Sequence, residues 1–403
     1  MTRALIIGGG VAGPVAALAL RKAGIDSTVY EAYPRGADDV GAFLMLFANG
    51  LAALRTVDAL APVHDRSFAA ESVEFYSRAG ERLGRRPLRG SGGDGLSPRT
   101  MERAALNRAL HEEAARRSIP VEHGKRLVDA TTDANGRVVA AFDDGSHAEG
   151  DLLIGADGLH SRTRALLDPG APRPRHVGQS TVCGRLPHSP EAAPPGTYRM
   201  IYGKEAFFGC TTAPDGPTYW FANIPGQELS RDALAARTPA QWRQRVLDVF
   251  ADDATPAAGI VAATGTDIVA SNTYDIPSTP VWHSRSTVII GDAAHATAPN
   301  AAQGASLAIE DAVVLAQCLR DLPDTARAFA AYERLRRERV ERVVALSGRL
   351  ANRDPDAAAA ARSSSEAARV RDARTARALD RDEGQGDSDW IRDYRVDWDE
   401  KVR

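Results

Sequence analysis

The 403-residue sequence has few cysteines: Cys183, Cys210 and Cys318 are widely spaced along the chain. Three scattered thiols do not form a disulfide framework, and they provide no metal-binding or redox pair. Such a pattern is typical of a reducing compartment. We therefore expect a cytoplasmic protein with free thiols and no bound metal.

Long hydrophobic runs are also absent. The first apolar run, ALII at residues 4–7, ends at glycines, so it is too short for a signal peptide or a membrane span. No later run approaches the roughly 18 apolar residues that a spanning helix needs. Lys and Arg (50) do not exceed Asp and Glu (53), and the formal net charge is -3. The composition therefore argues against nucleic-acid or membrane partners.

A glycine-rich turn follows this first run. The run has the composition of a buried strand, GGGVAG comes next, and PVAALALRKAG has helical spacing. Gly8, Gly10 and Gly13 stand at the spacing of a dinucleotide-binding fingerprint. Gly8 permits a tight turn, Gly10 lets the backbone approach a pyrophosphate, and Gly13 allows close packing of helix on strand.

The helix start and the next strand complete a β-α-β unit. Val11 and Ala12 begin the helix, whose free N–H groups and positive dipole end attract phosphate. Glu31 ends the strand pattern IDSTVYE, where an acid accepts a hydrogen bond from a ribose 2′-hydroxyl. A carboxylate there would repel a 2′-phosphate, so we expect the adenosine half of FAD or NAD rather than of NADP. A plain glycine-rich turn is the alternative.

Two later strand ends also carry glycine and aspartate. DLLIGADGLHSRTR contains Asp157, which taken alone is compatible with an ordinary turn. VIIGDAAHATAPNAAQG ends a strand at Gly291 and Asp292 and enters a helix through small residues. Three such strand ends fit one extended ligand that crosses the edge of a sheet.

Together these motifs resemble the flavoprotein aromatic hydroxylases of the para-hydroxybenzoate hydroxylase type, the single-component (group A) FAD monooxygenases. The resemblance covers roughly residues 1–350 and includes GGGVAG, Glu31, MERAALNRAL, GADGLHSRTR and GDAAHATAPNAAQGASLAIEDA in the family's order. The sequence departs from the family at Ala32, where arginine is frequent, at Ala302, where P-x-x-G-Q-G has its first glycine, and at Ser306, where asparagine is common.

The resemblance implies non-covalent FAD and assigns residues to it. The pyrophosphate would lie at Gly8, Gly10 and Gly13, and the adenosine ribose at Glu31. Gly41 and Ala42 would lie against the isoalloxazine ring, together with Pro299, Gly304 and Ala305. Gly291 and Asp292 would bind the middle of FAD, and Val128 would lie at the adenine. Arg103 would reach FAD, and Asp157 would serve both FAD and the docking nicotinamide cofactor. A helix that starts at Gly304 would stabilise negative charge on the reduced ring. His295 is interpreted as a packing residue beside this loop rather than as a catalytic base.

The organisation of the chain predicts an α/β fold: a Rossmann-like, GR2-type FAD-binding domain, an interleaved and mostly antiparallel β-sheet substrate domain, and C-terminal helices. The expected boundaries are 1–70, 97–175 and 271–350 for the discontinuous FAD-binding domain, 71–96 and 176–270 for the substrate domain, and 351–403 for a helical tail. In that tail, Trp390, Tyr394 and Trp398 stand at helical spacing, which favours docking on the body.

The resemblance further implies an NAD(P)H-dependent monooxygenase. NAD(P)H would dock transiently and reduce FAD, and O2 would then form a C4a-hydroperoxyflavin that hydroxylates or epoxidises an aromatic or other electron-rich small molecule, for example in secondary metabolism. Catalytic protein residues stay unknown. The candidate pocket residues on the predicted strands are Arg185, Tyr202, Phe208, Trp220 and Phe221. Their aromatic character favours a flat, largely apolar substrate, and the protein could be a monomer or a homodimer.

Three alternatives use the same fold. A flavin-dependent oxidoreductase of the reductase or desaturase type would bind FAD without activating O2. A halogenase would carry W-x-W-x-I-P, but WFANIP at residues 220–225 has Ala222 in place of the second tryptophan. A degenerate flavoprotein that only sequesters a ligand is the third, and the intact motifs argue against it.

Overall fold

The computed structural model describes residues 2–34, 43–88, 93–134, 136–351 and 390–403. Gly41 and Ala42 lie outside the described residues. The strands are β1 (Arg3–Ile7), β2 (Asp26–Glu31), β3 (Phe43–Leu46), β4 (Phe68–Ala69), β5 (Ser72–Ser77), β6 (Arg82–Pro87), β7 (Arg99–Glu102), β8 (Val121–His123), β9 (Leu127–Thr132), β10 (Val138–Phe142), β11 (His147–Gly150), β12 (Leu152–Gly155), β13 (Arg175–Leu186), β14 (Thr197–Tyr202), β15 (Phe207–Thr212), β16 (Thr218–Pro225), β17 (Ile268–Asp275) and β18 (Thr287–Ile289).

The helices are α1 (Ala12–Lys22), α2 (Ala48–Thr56), α3 (Leu60–His64), α4 (Arg103–Arg116), α5 (Arg162–Leu167), α6 (Arg231–Ala235), α7 (Pro239–Val249), α8 (Ala257–Ala262), α9 (Asp292–His295), α10 (Gly304–Asp321) and α11 (Thr325–Ala351), with a 3-10 turn at Pro299–Ala301. In the part of the chain that the structure describes, no helix is both long enough and apolar enough to span a membrane.

A parallel five-stranded sheet carries the N-terminal glycine turn, in the order β18-β12-β1-β2-β8. The continuous apolar run of β1 arises because both of its faces are covered. Ala4 and Ile6 join the core formed with α1 and α10, whereas Leu5 and Ile7 pack against the small sheet β11-β10-β9. The predicted Rossmann-like α/β fold is therefore confirmed.

The second large sheet has the order β17-β13-β16-β15-β14-β5-β6. Its pairs are antiparallel except for β14 with β5, so the early hairpin at 71–87 joins strands more than a hundred residues later. One face packs on α7 and α8 in an apolar core. The other face meets a three-stranded sheet, β3-β7-β4, through aromatic side chains.

The C-terminal segment Trp390–Arg403 docks on α10 and α11. Trp390 and Trp398 pack against the main core, and the Tyr394 ring lies 4.2 Å from the Arg339 guanidinium. Residues 393–403 are irregular rather than helical, because their backbone carbonyls accept from side chains of the body: Gln317 Nε2, for example, donates to the Asp397 carbonyl over 2.6 Å. The aromatic stripe thus docks without forming a regular helix.

Gly184 provides a test of the packing between the large sheet and its helices. A Cβ at this position would lie 2.4 Å from the Trp220 ring, which is completely buried and donates from Nε1 to Thr264 Oγ1 over 2.9 Å. Because that ring cannot move freely, we expect Gly184→Ala to destabilise the protein by about 1–3 kcal/mol, measured by thermal or denaturant unfolding. Gly226→Ala, whose Cβ would meet no atom within 4 Å, is the matched control. Equal stability of the two variants would contradict this packing.

Candidate functional site

The three fingerprint glycines differ in what surrounds them. Gly8 has φ +108°, and a Cβ on it would lie 2.4 Å from the Ala156 carbonyl oxygen. A Cβ on Gly13 would lie 1.9 Å from the Gly8 carbonyl oxygen. A Cβ on Gly10 would meet no protein atom within 4 Å. The protein's own packing therefore requires the first and third glycines, whereas the second borders open space that a ligand could enter.

The backbone N–H and the backbone carbonyl of Gly9 are both hydrogen-bonded to side chains. Its N–H donates to Glu31 Oε2 over 2.6 Å, and its carbonyl accepts from His111 Nε2 over 2.6 Å. Glu31 Oε1 accepts from the Tyr33 N–H over 2.9 Å, so both carboxylate oxygens fix the turn and each keeps a lone pair for another donor. The ribose contact of Glu31 stays a prediction. Sequence reasoning missed His111, because a single histidine on a polar helix carries no local signal.

Two helices start without side-chain caps at this edge of the sheet. Helix α1 begins at Ala12 and α10 at Gly304; neither has a side-chain capping bond or an acidic residue in its first turn. Their N–H groups and positive dipole ends are available to an anionic ligand. A Cβ on Gly291 would lie 3.3 Å from Ala12 Cβ, so the third strand end adjoins the start of α1. Asp292 begins α9, and its Oδ1 is 3.9 Å from the Cβ position of Gly304.

Arg164 connects the second and third strand ends. It is buried and donates to the carbonyls of Leu159 and Ala293 over 2.7 and 2.9 Å. Burial lowers the pKa of its guanidinium, and the neighbouring charge of Asp157 partly compensates. The structure thus brings together the three strand ends that the sequence assigned to one ligand.

The loop between α9 and α10 is fixed by α11. Ser347 Oγ donates to the Ala298 carbonyl over 2.6 Å and accepts from the Ala301 N–H over 3.1 Å. Ala302 adopts a left-handed conformation, φ 51° and ψ 33°, which costs a non-glycine residue about 1–2 kcal/mol. This is the position where the family has glycine. Pro299 and Ala305 flank the same loop, and their contact with the ring stays a prediction.

A buried ion cluster lies behind this loop. Asp311 accepts from Arg336 Nε over 2.7 Å, from the Gly291 N–H over 2.9 Å and from His295 Nε2; Glu310 pairs with Arg336 over 2.7 Å. Burial alone would raise the pKa of Asp311, but the charges of His295 and Arg336 outweigh it and hold that pKa well below its usual range. His295 thus supports this cluster, in agreement with its interpretation as a structural residue.

Three other assigned residues have varied surroundings. Asp157 accepts from Ser161 Oγ over 2.6 Å and from the Thr163 N–H over 2.9 Å, so it also stabilises the start of α5. Val128 is 39% exposed, and its carbonyl accepts from the Arg162 side chain. Arg103 is exposed at the start of α4. Their roles toward FAD stay predictions.

The face of the large sheet toward β3 is aromatic and half-buried. Phe221 lies 6.2 Å from Phe43 and 6.0 Å from Phe207, and Tyr202 stacks 6.2 Å from Phe75. The large apolar side chains that share this half-buried state are Phe43, Met45, Phe75, Met200, Tyr202, Phe207, Tyr219 and Phe221. Phe43, on this face, directly follows in the sequence the Gly41–Ala42 pair that the resemblance assigns to the flavin ring.

Two predicted pocket residues require correction. Phe208 and Trp220 are completely buried on the opposite face, where Phe208 packs edge-on against Phe250 of the helical core. Successive side chains of a strand point to opposite faces, so these two point away from the aromatic face that carries Tyr202 and Arg185. Arg185 is half-exposed and already pairs with Glu102 over 3.2 Å and with Asp267 over 3.7 Å.

Comparison with known proteins identifies the class. A family model described as FAD binding domain matches residues 1–347. The chain is 31% identical over 353 residues to an aurachin C monooxygenase/isomerase from Stigmatella aurantiaca, covering 86% of this chain and 88% of that protein. It is 32% identical over 362 residues to an FAD-dependent urate hydroxylase from Klebsiella pneumoniae, covering 85% and 88%. The solved structure of a single-substitution variant of Klebsiella pneumoniae HpxO complexed with FAD gives a TM-score of 0.84 at 26% identity, covering 97% and 98%.

The fold and these comparisons thus define a flavoprotein. The chain belongs to the FAD-binding-domain family and, within it, to the group A FAD-dependent hydroxylases that its motifs resemble. It is an FAD-dependent monooxygenase, and FAD is its cofactor. The uncapped helix starts and the open side of Gly10 fit the pyrophosphate of that cofactor.

Gly10 allows a direct test of the FAD site. A methyl group on Gly10 meets open space in the protein but would occupy the approach of the pyrophosphate. We expect Gly10→Ala to weaken FAD binding about tenfold or more while the melting temperature of FAD-free protein stays unchanged. Flavin content after purification and titration with FAD measure the effect, with Gly226→Ala as control. Full flavin retention by the Gly10 variant would contradict the assignment.

Proposed function

We propose that this FAD-dependent monooxygenase takes its electrons from NAD(P)H and oxygenates a flat, uncharged aromatic small molecule, held against the aromatic face of the large sheet. The observation that supports this most is the half-buried state of the side chains on that face. The opposite face of the same strands packs on α7 and α8 in an apolar core. A set of large apolar side chains that the protein covers only in part suits a planar apolar ligand.

The charge of Arg185, which lies on this face, is paired with carboxylates of the protein. Arg185 pairs with Glu102 and Asp267, so its charge is not free for a substrate carboxylate. Tyr219 donates to Glu102 over 3.1 Å. Burial, with the charge of Glu102, raises the pKa of Tyr219, which therefore stays protonated at neutral pH. Its oxygen also interacts with the Arg185 side chain, and a second lone pair can accept a hydrogen bond from a substrate O–H or N–H. A neutral aromatic ring that carries one O–H or N–H group would match these side chains.

The protein's contribution to the reaction follows from these positions. Bound FAD supplies the oxygen chemistry. The free N–H groups of the first turn of α10 stabilise negative charge on the ring. The aromatic face excludes water from the reacting centre and orients the substrate plane.

The free, buried cysteines support a cytoplasmic location.

Oxidation of NADH and NADPH, measured together with O2 uptake, tests this function. Neutral phenols, indoles and polyketide aromatics form the panel, and urate serves as a polar comparison because a related protein is a urate hydroxylase. We expect an uncharged aromatic to stimulate both signals and to gain one oxygen atom from labelled O2. Stimulation by urate alone would contradict the proposed substrate class. Oxidation of NAD(P)H without oxygen transfer to any compound would favour a flavoprotein that only reduces or desaturates.

Gly209 tests the aromatic face itself. A Cβ on Gly209 would lie 2.4 Å from the Phe221 ring and 2.9 Å from Met200 Sδ, so Gly209→Ala must push both side chains off the sheet toward the substrate. We expect the KM for the substrate to rise roughly tenfold while FAD binding stays unchanged. Gly226→Ala is again the control. An unchanged KM in a folded Gly209→Ala protein would place the substrate elsewhere.

A further inference from the structure

The start of α10 is linked to the far end of the chain by buried hydrogen bonds. Gln303 immediately precedes this helix, and its side-chain Oε1 accepts from Asn49 Nδ2 over 3.0 Å. The same Asn49 Nδ2 donates to Glu310 Oε1 over 2.6 Å. Gln303, Asn49 and Glu310 are all buried, so water does not compete for these bonds. Glu310 thus sets the position of an amide that holds the residue before the helix.

Arg339 connects Glu310 to the C-terminal segment. Its Nε and one Nη donate to the two oxygens of Glu310 over 2.9 and 2.8 Å. The same guanidinium donates to the carbonyls of Trp390 and Ile391 over 2.9 and 2.7 Å, and the Tyr394 ring stacks 4.2 Å away. A planar guanidinium fixes both sides at once, because its donors have a rigid geometry. Undocking of the segment would leave Arg339 free to change position, and among the described residues Glu310 would then be held only by Arg336 and Asn49.

Asn49 is the sensitive point of this connection. Its Oδ1 is buried without a hydrogen-bond partner among the described residues, so the amide is oriented only by what its Nδ2 donates to. If Glu310 shifts, Asn49 loses one of the two acceptors that orient its amide, and its bond to Gln303 is weakened. The residue before α10 is then held less firmly, and the N–H groups of the first turn are directed less precisely toward a ligand.

We propose that Arg339 is a positioning residue for the flavin ring, and that docking of the C-terminal segment Trp390–Arg403 is transmitted through Glu310, Asn49 and Gln303 to the first turn of α10. This inference rests on the proposed position of the ring at Gly304. The C-terminal segment is then a part of the flavin site.

The test compares Arg339→Gln with Tyr394→Leu, which removes the ring that lies over Arg339 and Arg336 and leaves the hydrogen bonds of Arg339 in place. Arg327→Gln is the control, because Arg327 is exposed on the same helix. The measurements are the absorption spectrum and midpoint potential of bound flavin, the Kd for FAD, and the melting temperature of FAD-free protein. We expect Arg339→Gln to weaken FAD binding about tenfold and to shift the spectrum and potential. Tyr394→Leu should act in the same direction with a smaller amplitude, and the control should change neither.

A purely structural role would lower the melting temperature without moving the spectrum or the potential, and that result would overturn the proposal. If Arg339→Gln does not fold, Tyr394→Leu decides. Gly304→Ala separates this inference from the site itself, because its methyl has only ordinary contacts in the protein, 3.5 Å from Thr297 Cγ2 and 3.9 Å from Asp292 Oδ1, and would press on a ring bound there. A spectral change in Gly304→Ala alone would overturn the coupling and keep the site. No change in any variant would overturn the position of the ring.

Discussion

Two adjacent carboxylates, Glu310 and Asp311, are completely buried inside α10, and the arrangement of the predicted flavin site depends on their compensation. Neighbouring negative charges in a low-dielectric interior are costly unless each is paired, and removing one partner of such a pair costs about 3–5 kcal/mol. Arg336 pairs with both. Because the two side chains leave the helix in different directions, their remaining bonds fix different parts of the site. Asp311 holds the Gly291 N–H at the third strand end, and Glu310 holds Asn49 beside the helix start.

The sequence predicted the fold and the cofactor because their signals are local. Glycine spacing, strand-end aspartates and helical periodicity each occupy a few consecutive residues, and their order along the chain identified the family. The sequence could not distinguish the two faces of the antiparallel sheet. Alternation shows that Phe207 and Phe208 point in opposite directions, but an apolar pattern on both faces does not tell which face is covered by helices. Here one face packs on α7 and α8, whereas the other carries the half-buried aromatic side chains, so Phe208 lies on the helix-covered face and not on the aromatic face proposed for the substrate.

Residues that act over long sequence distances were missed for a related reason. Asn49 bonds to Gln303 across 254 positions, and His111 bonds to Gly9 across 102. Each is a single polar residue on a helix with no pattern around it, and in one sequence it is indistinguishable from a solvated side chain. Only the packing of α2 on α10, and of α4 near the glycine turn, gives these side chains a partner. The same holds for Arg339, one of many arginines on a helix rich in them.

Ala302 shows how hydrogen bonds from α2 and α11 stabilise the loop before α10. The left-handed backbone at this position favours glycine, and an alanine there costs about 1–2 kcal/mol. Ser347 binds the loop at the Ala298 carbonyl and the Ala301 N–H, and Asn49 binds Gln303 on the other side of Ala302. Each hydrogen bond contributes about 0.5–1.5 kcal/mol, so three bonds on the two flanks are enough to offset the strain. The loop therefore keeps its conformation without the family's glycine, because its shape is imposed by α2 and α11 rather than by the residue at the bend.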